Sequence, residues 1–190
     1  MKDFFRERSY DAAKLLVTQI AISAFGFVLT FAAGSVDNDS LRTGCSVFAV
    51  AFYLFLVYTS IWDLGAKDAL SIEYGHREYR PLTGFWIALL ANSINFLLAL
   101  LILLGVALPD VSFFGNVGAV SKIIAIFGQG MYSGLLSIRV GTSHLNNYLL
   151  SYFLMPLPAI LTAMTAYFFG LKNKRFTRLF DLKNDTTKGK

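Results

Sequence analysis

The sequence predicts an all-α membrane protein: four transmembrane helices plus one amphipathic outer-face or re-entrant helix. Three observations carry that reading. Of 190 residues, 55% are hydrophobic and only 15% are charged, whereas soluble domains run near a quarter charged. Four segments long enough to cross a bilayer carry no charged residue. The basic residues then collect on one side of those segments, as they do on the cytoplasmic side of membrane proteins.

The four segments are 15–36, 44–61, 84–108 and 148–171. At a rise of ~1.5 Å per residue each reaches the ~30 Å hydrocarbon thickness, the second only just. Lipid offers no hydrogen bonds to a backbone, so each is expected as a helix. The first is read as a span and not as a cleaved leader. Its apolar run exceeds the ~7–15 residues of a signal core, and Asp3, Glu7 and Asp11 precede it, although "FAAGS" loosely matches a cleavage site. The turn 37–43, "DNDSLRT", follows. A connector, 62–81, separates the second and third spans, and Pro109 stops the third.

The segment 117–138 has a helical pattern, with Val120, Ile124, Phe127, Met131, Leu135 and Ile138 at three- and four-residue steps. Lys122, Gln129, Ser133 and Ser137 mark another face. Charge decides its placement. With four spans and both termini inside, 14 Lys and Arg face the cytoplasm and three, Arg42, Lys122 and Arg139, face out. A fifth crossing here leaves eight on each side. The four-span arrangement is preferred, with 117–138 lying on or dipping into the outer leaflet. The basic tail, 172–190, then meets an anionic cytoplasmic leaflet. Within it Lys172, Lys174, Arg175 and Arg178 are interface anchors, and Trp62 and Trp86 are anchors at the ends of the connector. "DFFRERSY" at the start is a similar interfacial segment. The net charge of +5 is thus read as lipid-directed, not as a nucleic-acid surface.

The stretch "WDLGAKDALSIEYGHREYRPLTGFW", 62–86, holds seven charged residues and one of the two histidines. If the second span continues as a helix, Asp63 and Lys67 face each other at i,i+4, and Glu73 and Arg77 repeat the spacing. The plain reading is a solvated, self-paired connector. The sharper one is a partner-contact surface made of Asp63, Lys67, Asp68, Glu73, His76 and Arg77. Glu73 and His76 form E-x-x-H, but His144 falls on the opposite side of the membrane, so the two histidines do not share a metal. No metal, no cofactor and no catalytic set is expected. The lone Cys45 forms no internal disulfide.

Inside the spans Gln19, Asn92 and Asn95 are the candidate polar residues, read first as hydrogen-bonding between helices. Pro156 and Pro158 predict a kink or break in the fourth span. "GQGMYSG", 128–134, lacks the strand that a dinucleotide loop requires, but Gly130 and Gly134 form G-x-x-x-G, a close-packing motif.

Trp62, Gly65, Lys67, Asp68, Pro81 and Gly84 also carry a resemblance. This W-x-x-G-x-K-D stretch, with a basic tail, resembles that of a group of small uncharacterised bacterial multi-span membrane proteins. The resemblance implies the same topology and a bacterial inner-membrane location, and no activity. The expected function is a non-enzymatic subunit or accessory factor of a membrane complex, partnered by another membrane protein or a second copy. The alternative is a small transporter or channel with a polar face on the third span, and a membrane-embedded enzyme ranks third.

Overall fold

A computed structural model of the chain describes residues 2–36, 38–108, 111–141 and 143–172. Helix α1 spans Lys2–Gly34 and α2 spans Asp39–Glu73, both unbroken. Neither contains proline, and Asn38 caps α2 by accepting from the Leu41 amide at 3.0 Å. Helices α3 (Thr83–Ala91) and α4 (Ser93–Ala107) form one segment bent by 52°. Helix α5 (Ser112–Gly128) runs into a 3-10 turn, Gly130–Tyr132, and α6, Ser133–Leu136, with a bend of 82°. A two-residue hairpin follows, β1 (Arg139–Val140) antiparallel to β2 (Ser143–His144), turning at Gly141. The last segment is α7 (Leu149–Leu154) and α8 (Leu157–Leu171), interrupted at Met155–Pro156.

Three helical segments are long and apolar enough to cross a membrane, and five if each bent pair counts as one. Their interior is apolar with several polar residues, and their outer surface is apolar too, unlike that of a soluble bundle. The buried stripe of α1 includes Arg8, Gln19, Ser23 and Thr30, while Val17, Val28 and Phe31 point outward, Phe31 at 72% exposure. A large exposed apolar surface of this kind belongs against lipid. Small residues instead bring the backbones together. A Cβ at Gly65 would stand 2.5 Å from the Tyr167 carbonyl oxygen, and one at Gly105 would stand 2.8 Å from the Gly118 Cα.

Several expectations need correcting. The connector 62–81 is a loop only in its second part, because α2 continues to Glu73. Its buried positions Ile61, Gly65 and Asp68 keep the spacing that Tyr53 and Val57 set, so the same face goes on packing against α8. The helix stops where Gly75 takes φ +72°, a conformation that suits glycine, and the His76 amide bonds back to Ser71 O. The segment 117–138 is not one amphipathic helix either. Val120, Ile124 and Phe127 face outward, and Gly118, Ser121 and Ala125 are buried. Beyond the bend, Gly130 meets Ser23, Met131 meets Gly26, and Gly134 meets Thr30 and Arg42, progressing toward the end of α1. The close-packing reading of Gly130 and Gly134 matches these contacts. The third span bends at Asn92, and the fourth breaks where Pro156 predicts it.

Candidate functional site

A charged cluster lies where α1 begins and where α2 and α8 end. Asp68 is its hub, because the stripe of α2 that meets the bundle carries this acid inward, to 5% exposure. One carboxylate oxygen accepts from the Arg8 guanidinium and from the Tyr167 hydroxyl, the latter at 2.7 Å. The other accepts from Arg77 Nη1 at 2.8 Å. Arg77 also donates to Glu7, and Arg8 reaches Asp11 at 3.4 Å. A buried carboxylate is tolerable only when paired and hydrogen-bonded, and this one has three donors.

A cavity of about 290 Å³ opens beside the hub, lined by Glu7, Arg8, Asp68, His76, Arg77, Glu78, Arg80, Thr83 and Tyr167. Thr83 donates to the Arg80 carbonyl at 2.8 Å, which holds the start of α3 against the connector. Arg80 bonds Glu78 at 2.8 Å, and that hydrogen bond, reinforced by the charge, raises the Arg80 pKa above its usual value. The pair is exposed and contributes little to stability. Acids and bases are matched around the cavity, and Asp68 has its lone pairs engaged. The arrangement suits holding three helices in register better than moving protons.

The predicted contact residues separate. Asp68 and Arg77 belong to the internal network, so they are not a free surface. Asp63, Lys67, Glu73 and His76 are exposed. Among the described residues no ion pair joins Asp63 to Lys67, and Arg77 pairs with Asp68 and Glu7 instead of Glu73. The E-x-x-H face does not form, because the helix ends at Glu73 and His76 sits beyond the Gly75 turn. Among the described residues no group of three His, Cys, Asp or Glu could hold a metal.

Trp62 is 7% exposed and packed inside the bundle, so it is not an outward anchor, whereas Trp86 is 42% exposed. Lys172 lies over the Phe168 ring at 4.1 Å; Lys174, Arg175 and Arg178 lie outside the described residues. Among the described residues the bonds of Asn92 and Asn95 stay within the bent segment α3–α4 and reach no other helix. Asn95 donates to Asn92 at 2.9 Å, and Asn92 donates to Ala88 O at 2.9 Å, so the pair serves the bend it sits on. Gln19 is 3% exposed and faces the bundle. Arg8, Glu7, Thr83 and Tyr167 escaped the sequence reading. Extending the buried stripes of α1 and α2 would have found Arg8 and Asp68, since each continues the apolar and small positions of its own helix.

Compared with known protein families, curated proteins and solved structures, the chain shows no match to any.

Proposed function

We propose that the chain is a four-span protein of the cell membrane, both termini cytoplasmic, acting as a non-catalytic subunit or accessory factor of a membrane complex. Two facts support the four-span topology. The start of α1 and the end of α8 meet at Asp68. The segment α5–α6 bends by 82° near Gln129, and its far end runs along α1 from Ser23 toward Thr30, which favours a re-entrant hairpin over a further crossing. The positive-inside count agrees.

The observation that carries the subunit reading is the outer face of the α2 extension. Asp63, Lys67, Leu70 and Tyr74 follow at four-, three- and four-residue steps and are exposed, Tyr74 at 74%. The opposite face is fixed by Gly65 against α8 and by the Asp68 network. A rigid stripe with both charge signs and an aromatic end suits a protein helix of complementary charge. An anionic headgroup surface would select basic residues alone. The proposed partner is a helix of a different membrane protein, with a second copy of the chain as the competing occupant. The transporter alternative gains nothing comparable, because Asn95 donates to Asn92 and Asn92 to the Ala88 carbonyl within the same bent segment.

The test is a photoreactive phenylalanine analogue at position 74, used in cells that make the protein natively. A discrete protein adduct is expected, reduced several-fold by the exchange Asp63→Lys with Lys67→Asp. Adducts with lipid alone, or only at twice the mass of the chain, would overturn the reading. Asp68 is left intact, since its change disturbs the bundle itself.

A further inference from the structure

A second cavity, about 1310 Å³, lies at the opposite end of the bundle. The first turns of α2 form one wall, and the run from α6 to Asn147 forms the other. Arg42, Arg139 and His144 line it, with Asp39 the one carboxylate among the described lining residues. Its apolar surface comes from Phe27, Val47, Ile126, Leu136 and Ile138. Ligand cavities are commonly ~300–1,000 Å³, so this one holds more than a simple anion.

The polar groups there are incompletely used. The Arg42 Nε is buried and has no hydrogen-bond partner among the described residues. Neither Arg42 nor Arg139 forms an ion pair among the described residues. A buried guanidinium nitrogen without an acceptor is costly, and native structures rarely leave one so. His144 Nδ1 lies 2.7 Å from the Ser137 carbonyl oxygen, to which it donates. The cleft also opens on the capped N-terminus of α2, whose dipole favours negative charge.

We propose that this cleft binds one anionic phospholipid, its phosphate accepting from Arg42 and Arg139 and an acyl chain lying along Val47 and Ile138. Planar guanidinium groups match phosphate oxygens, and such charge-assisted bonds are the strong ones. Val47 is 51% exposed and Ile138 36%, so the apolar wall continues onto the outer surface of the bundle, where a bilayer lipid is available without leaving its leaflet. A free phosphate would leave that wall and most of the volume unused. This site is independent of the α2 stripe, which lies at the other end.

The test uses the full chain in nanodiscs of phosphatidylcholine with or without phosphatidylglycerol, read by native mass spectrometry of retained lipid. One phosphatidylglycerol should be retained preferentially. Arg42→Gln and Arg139→Gln should each weaken retention by about tenfold or more. Lys122→Gln, a cation on α5 outside the cleft lining, should leave it unchanged. If Arg42→Gln fails to fold, the Arg139→Gln result decides. Equal retention of the two lipids, retention unaffected by Arg139→Gln, or displacement of the lipid by millimolar inorganic phosphate would each overturn the proposal.

Discussion

Replacing Asp68 with Asn keeps the shape of the hub and removes its charge. Arg8, whose side chain is 8% exposed, then has only Asp11, at 3.4 Å, as a charged partner among the described residues. Stranding a buried charge by removing its partner costs about 3–5 kcal/mol. Arg77 adds little, about 0–1 kcal/mol, because its side chain is 33% exposed and water takes over. The total, about 3–6 kcal/mol, is roughly two to four powers of ten in the folding equilibrium. Reversible unfolding in mixed micelles, followed by helical circular dichroism, measures it. Adding Arg8→Met removes the stranded charge, so the double variant should be more stable than Asp68→Asn alone. A single-variant loss within about 0.5 kcal/mol would refute the hub, as would strict additivity of the two changes.

Two more outcomes follow from packing and topology. Gly170→Ala sets a methyl against the Trp62 carbonyl and 3.0 Å from the Gly65 Cα, so it should cost about 1–3 kcal/mol in the same assay. Gly115→Ala, with nothing within 4 Å, should stabilise α5 by about 0.5–1 kcal/mol. In a Cys45→Ser background, Lys2→Cys and Lys188→Cys should react with an impermeant maleimide from the same side, whereas labelling from opposite faces would end the four-span topology.

Much of this architecture is legible because lipid forces long apolar runs into helices, and charge-free runs are easy to see. The boundaries were less legible. Asp63, Lys67 and Asp68 read as the end of a span, yet Gly65 and Asp68 continue the inward stripe of α2 and are held by α8 and Arg8. Which partner an acid finds is a tertiary fact, and Glu7, nearly 70 residues upstream, outcompetes the local Glu73 for Arg77. The bend at Gln129 was hidden for another reason. Outward-facing Val120, Ile124 and Phe127 give the same periodicity as a core stripe, because period alone does not say which side is lipid. Gly128 and Gly130 were the local signal of the break.

The spacing of the hub along the chain has a consequence for biogenesis. Asp68 follows Arg8 by 60 residues and precedes Tyr167 by 99. At roughly 5–20 residues per second of synthesis, α1 and α2 are made and can close their ion pair while the ribosome still needs about 5–20 s to deliver the end of α8. Through that interval the face of α2 around Gly65, which α8 later covers, is open to the insertion machinery. The last helix then completes the bundle by closing over an acid already neutralised.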